Sequence, residues 1–171
     1  MDLRDYVAES MTRIREGTLN TLKNLDDADL YWTPSPQANP IGFLVWHTAR
    51  SEDNYFARFI APGPQLWQRD GWHQKFGMSP DETGNSWNAE QVHAFRAPSK
   101  QALFDYTLAV RTHALAELKA LDVAKLSERP RTDRPNLTRA HILQNVVSHD
   151  AHHQGAIDYL VGLRKAQFMP A

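Results

Sequence analysis

Residues 138–164 read TRAHILQNVVSHDAHHQGAIDYLVGLR, with three histidines, His149, His152 and His153, packed into five positions. Thr138 is a side chain suited to an N-cap, and the following apolar residues recur every three or four positions. The spacing predicts a long helix from 139 to about 164. Successive helical residues are about 100° apart, so with His149 at zero, Ile142 and Leu160 fall at about 20°. His153 falls at about 40°, Val146 at about 60° and Ile157 at about 80°. His149 and His153 therefore stand inside the apolar stripe, with His152 at its edge. Asp150, Gln154 and Asp158 project toward the other side.

Working outward, the same periodicity predicts three more long helices. Leu3, Tyr6, Val7, Met11, Ile14, Leu22 and Leu25 mark a helix over 3–25. The segment DDADLYWTPSPQANP breaks it with three prolines. A second helix starts at Asn39-Pro40, runs through IGFLVWHTARSEDNYFARFI and stops at Ala61-Pro62-Gly63-Pro64. Residues 65–87 form a long, mostly irregular crossover holding three tryptophans, expected to pack beside the helices and wall a site. Asn88 and Gln91 have capping-box spacing and open a short helical piece before Pro98. A third long helix covers about 98–121, and the basic loop SERPRTDRPN leads back to Thr138. No stretch alternates with a period of two. The fold expected is all-α: a four-helix bundle with a long crossover between its second and third helices, in one domain spanning 1–171.

Composition narrows the function classes. Charged residues make up 23% and hydrophobic ones 42% of 171 residues, the balance of a globular domain with one core. A net charge of -1 argues against nucleic acid as a partner. Without cysteine there is no disulfide framework, thiolate metal site or cysteine nucleophile. No apolar run approaches membrane-spanning length. The polar start MDLRDYVAES is unlike a signal peptide. A cytoplasmic protein without membrane contact is expected.

His149 and His153 have the i, i+4 spacing by which one helix presents two imidazoles to a metal ion. A third ligand must come from another helix. His47 offers it: Phe43 and Leu44 flank it on one side, and beyond it the face turns polar through Ser51, Asn54 and Arg58. This places His47 at the floor of a cleft facing His149 and His153. The plainer reading makes all three hydrogen-bonded core histidines, and both readings stand on spacing alone. His73, His93, His113 and His141 read as surface or structural residues.

The stretches NPIGFLVWHTARSEDNYF, LWQRDGWHQKFG and VVSHDAHHQGAI together resemble the DinB/YfiT-like family, described as metal-dependent enzymes, over nearly the whole chain. The resemblance implies a four-helix bundle, often dimeric, with metal ligands at His47, His149 and His153. His152 matches a position not normally counted as a ligand. Where relatives carry arginine and glutamine after the histidine pair, this chain has Gln154 and Ala156. Relatives in the wider superfamily include S-transferases and isomerases that use small thiols.

The expected cofactor is one divalent transition metal ion, zinc or nickel, since three imidazoles leave coordination positions open. The expected partners are a small-molecule substrate, with any thiol brought by a cosubstrate, and a second copy of the chain. Arg50, Arg58 and the crossover tryptophans are candidates to line the substrate cleft. A non-catalytic metal-binding or stress-response protein is the alternative, because no general base projects beside His47. Metal-linked stability is expected to fade as pH drops below the ordinary histidine pKa of about 6.5.

Overall fold

The computed structural model describes residues 2–167, and every regular element among them is helical. Helix α1 (Leu3–Lys23) opens with a capping box in which the Asp2 side chain accepts from the backbone and Asp5 answers. A short α2 (Asp27–Tyr31), capped the same way by Asp26 and Asp29, lies in the segment expected to be irregular. The aspartate pair was its signal. Helix α3 (Ile41–Tyr55) starts one residue later than expected, with Pro40 itself at the N-cap, and runs on into a π-helical turn, Phe56–Ile60. The crossover is more regular than expected, with α4 (Leu66–Arg69) and α5 (Trp72–Lys75) inside it. Helix α6 (Ala89–Ala94) carries the Asn88–Gln91 capping box. Helix α7 (Lys100–Ala120) is capped by Ser99. After a 3-10 turn at Val123–Ser127, α8 (Arg139–Ala166) begins at the Thr138 cap.

The four long helices pack in a ring: α1 and α3 each touch both α7 and α8. Polar contacts at the ends give their directions. At one end, Arg4 of α1 donates to the carbonyls of Lys119 and Leu121 that finish α7. Arg139 of α8 donates at the same end to Phe59 and Ile60 carbonyls that finish α3. At the other end Lys100 bonds the Leu25 carbonyl, and Arg164 bonds Asp29. Hence α3 runs parallel to α7, and α1 parallel to α8. Parallel neighbours cannot be joined by a short turn, which is why the chain needs the long 61–99 connection.

The core is two apolar clusters with a charged layer between them. One holds Leu19, Leu22, Trp46, Ala49, Trp67, Tyr106, Val110, Ile157 and Leu160, and the other Met11, Phe56, Ala114, Leu118, Ile142 and Val146. In sequence the gap falls on Arg15 in α1, Glu52 in α3, Arg111 in α7 and Asp150 in α8, all buried. The Arg15 guanidinium reaches Glu52 at 2.6 Å and Asp150 at 3.1 Å. Arg111 reaches both carboxylates at 2.5 Å, with a second bond to Glu52 at 2.9 Å. Two guanidiniums and two carboxylates cancel, so the layer carries no net charge into the low-dielectric interior. Burial pushes Asp150 up, but Arg15, His149 and Arg111 outweigh it and hold its pKa at about 2. For Glu52 burial wins over the same arginines and moves it up from the ordinary carboxylate value.

This layer corrects the sequence expectation for α8. Asp150 does not face outward; it turns into the core because α8 packs against both α1 and α3 and so buries a wider arc than one stripe. Gln154 is also engaged, accepting from the Thr18 hydroxyl at 2.5 Å. Helix α3 is buried around its whole circumference from Ile41 to Asn54, so its polar half borders ion pairs and the crossover rather than a water-filled cavity. No described helix is long and apolar enough to cross a membrane.

Candidate metal centre

The three predicted imidazoles come together. His47 on α3 meets His149 and His153 on α8, with ring centroids 5.2 and 5.3 Å away. Their ligating nitrogens all lie within 4.8 Å of one another, and among the described residues this is the group arranged to hold a metal ion. His47 is the deepest at 9% exposure, while the His149 side chain remains 32% exposed, so the group is open to solvent from the α8 side. His152 is exposed and outside the group. Two of the remaining histidines do other work: His73 Nδ1 bonds the Trp67 carbonyl at 3.0 Å, and His141 completes the Thr138 cap.

The crossover sets the roof over His47. Asp53 accepts from the amides of Leu66 and Trp67, both at 2.9 Å, which ties the start of α4 to α3. Arg50 donates to the Glu82 carbonyl at 2.8 Å and to Gln65 at 2.5 Å. The Glu82 carboxylate gathers the amides of Thr83 and Gly84, each at 2.8 Å, and the Trp87 indole N–H at 3.0 Å. This turn brings the Thr83 carbonyl within 3.3 Å of His47 Nδ1. A carbonyl only accepts, so His47 carries its proton on Nδ1 and leaves Nε2 with a free lone pair. Arg50 is thus a crossover anchor rather than a cleft residue. Arg58 is exposed over Phe59, in the turn that finishes α3. Trp67 and Trp72 are buried in packing, while Trp87 stacks on Phe43 and Trp46 beside the site.

The donor set fits a divalent transition ion. His149 and His153 bring their Nε2 atoms to 3.2 Å. Two imidazoles bound at about 2.0–2.1 Å to a tetrahedral zinc stand about 3.3 Å apart, so the helix already holds this pair at coordinating separation. Both His47 and His153 have pKa values lowered to about 4, first by burial and next by the neighbouring His149 charge. Imidazole must be neutral to ligate, and these two stay neutral through the physiological range.

That shift predicts an acid response of the metal-free protein. The folded pKa of about 4 lies below the ordinary histidine value, so the stabilisation is complete above about pH 6.5. It drains as the unfolded chain takes up protons between 6.5 and 4. For His47 the loss is about 2 kcal/mol by pH 5, and for the more exposed His153 it is smaller. Urea midpoints of chelator-treated protein between pH 7.5 and 5 should fall, and His47→Gln should fall less steeply. Equal slopes would show that His47 is not held neutral. Protons should compete with metal at His47 and His153 only nearer pH 4, lower than the sequence alone suggested.

Gly84 is the vulnerable point of the roof. Its φ of +71° is left-handed, and a Cβ there would lie 2.6 Å from the Trp46 ring and 3.3 Å from His47 Nδ1. Gly84→Ala should destabilise the protein by about 2–4 kcal/mol, from backbone strain plus overpacking, and weaken metal binding by displacing Thr83. Gly77 also has positive φ but open space around it, so Gly77→Ala should show the backbone part alone and leave metal affinity intact. Chemical denaturation and metal titration of both variants check this.

A helical protein with a three-histidine group able to hold a metal ion is the class that fold and site define. The chain belongs to the DinB superfamily, which it matches over residues 10–157. Its structure is similar to the crystal structure of a conserved protein from Enterococcus faecalis, with a TM-score of 0.84 and 26% sequence identity, covering 94% of this chain and 95% of that one. A search of curated proteins finds no match.

Proposed function

We propose that this DinB superfamily member is a metal-dependent enzyme, built as a four-helix bundle with a crossover between its second and third long helices, that acts on a small molecule. The observation that carries the reading is the convergence of His47, His149 and His153, with their nitrogens within 4.8 Å. The ion is zinc or nickel, both suited to imidazole. When bound, it would supply Lewis acidity toward water or a substrate thiol. The chain's own part is to bring three imidazoles together, fix the His47 tautomer through Thr83, and leave the α8 side open for substrate. The reaction class is S-transfer with a low-molecular-weight thiol cosubstrate, or hydrolysis. The protein acts in the cytoplasm as a homodimer.

One observation favours a second reading, a non-catalytic metal-binding or stress-response protein. Glu52 and Asp150, the buried carboxylates nearest the histidines in sequence, are both held by arginines, and neither is free to act as a general base. Metal analysis of purified protein should find about one ion per chain. Turnover with thiol cosubstrates and electrophiles, or with hydrolysable esters and amides, separates enzyme from metal binder. Absence of metal after growth and purification with supplied zinc and nickel would overturn both.

A further inference from the structure

His149 has two ring nitrogens, and the structure gives each a direction. Nε2 faces His153 Nε2 at 3.2 Å, and Nδ1 lies 3.9 Å from Asp150 Oδ1. That oxygen is buried and has no hydrogen-bond partner, although Asp150 Oδ2 is held by both Arg15 and Arg111. A buried carboxylate oxygen without a donor is costly, and the donor within closest reach on the adjacent residue is the imidazole N–H. Metal-ligating histidines commonly donate their second N–H to a carboxylate, which fixes the tautomer and raises ligand basicity.

We propose that Asp150 is the positioning residue of the metal centre: its Oδ1 closes the 3.9 Å gap to accept a hydrogen bond from His149 Nδ1–H and so aims Nε2 at the ion, while Arg15, Arg111 and Glu52 hold the carboxylate in place. This rests on the metal-binding reading and adds a role for the charged layer within it. The layer is a support for the site as well as part of the core. His47 and His149 then have matching arrangements, with Thr83 and Asp150 as the respective acceptors and Nε2 as the ligating atom in each.

The test compares Asp150→Asn with Glu52→Gln, using zinc affinity measured by competition with a chromophoric chelator and stability measured on metal-free protein. Both variants break the charged layer, so both should unfold more easily. In Asp150→Asn the one remaining oxygen stays with Arg15 and Arg111 and an NH2 group faces His149 Nδ1, so its zinc Kd should rise about 10–100-fold, against less than about threefold for Glu52→Gln. Equal Kd values for Asp150→Asn and wild type, or an equal rise in both variants, would overturn the proposal. Wild-type protein supplies a reading independent of variant folding: nitrogen-15 NMR of the zinc-loaded chain should show His149 ligating through Nε2, with its Nδ1 proton retained and shifted downfield. Ligation through Nδ1 would overturn it. Failure of the wild-type chain to bind zinc at all would instead remove the metal reading on which this rests.

Discussion

Replacing His149 and His153 together by alanine should leave the purified protein without bound metal. Apparent zinc binding in four-ligand sites of about 10–16 kcal/mol corresponds to roughly 3 kcal/mol per ligand, so losing two ligands should weaken affinity roughly 10⁴-fold. The fold should survive. Both side chains are only partly buried, and alanine is the best helix former, so α8 keeps its backbone. The lowered pKa of His153 points the same way, since removing a histidine that must stay neutral relieves acid sensitivity. His152→Ala, at an exposed position one residue before His153, should bind metal as the wild type does. Elemental analysis and calorimetric titration of the three proteins decide it. Stoichiometric metal in the double variant would sink the assignment, and loss in His152→Ala alone would shift it by one residue.

The long helices and the three-histidine group were legible because both obey a local rule. Apolar residues every three or four positions mark α1, α3, α7 and α8, and cap residues mark most of their starts. His149 and His153 fall on that same spacing, which is why a pattern written for core residues also marked this histidine group. Asp150 was misread for a related reason. A single stripe assumes one packing neighbour, and α8 has two. Arg15, Glu52 and Arg111 carry no local mark of burial, because a lone charged residue is normally solvent-facing. The signal lies in comparing helices. Arg15 falls between Met11 and Leu19, Arg111 between Thr107 and Ala114, and Asp150 between Val146 and Ile157, each at core spacing. Two positive and two negative charges, one on each long helix, make sense only together. The roof over His47 was not legible in detail, because the approach of Thr83 depends on Glu82, Gly84 and Arg50 meeting across a segment without periodicity.

The charged layer leads to the second large effect, a loss of stability that depends on how many of its members are replaced. Glu52→Gln keeps the shape of the side chain and removes one charge, leaving two buried guanidiniums with a single carboxylate. Breaking a buried ion pair from one side costs about 3–5 kcal/mol, because the stranded charge has no water to return to. For a chain of this length that corresponds to a melting temperature lower by about 6–20 °C. Replacing all four, as Arg15→Met, Glu52→Leu, Arg111→Met and Asp150→Leu, strands nothing and joins the two apolar clusters into one. The quadruple variant, measured without metal, should therefore be more stable than Glu52→Gln and close to or above the wild type. Its zinc affinity should fall below that of both the wild type and Glu52→Gln, since the carboxylate beside His149 is gone. Melting of the three proteins in the presence of chelator, followed by zinc titration, separates the contributions. If the quadruple variant proved less stable than Glu52→Gln, the layer would be stabilising the fold outright. Recovered stability with weak zinc binding would mean that these four buried charges are retained for the metal centre and not for the fold.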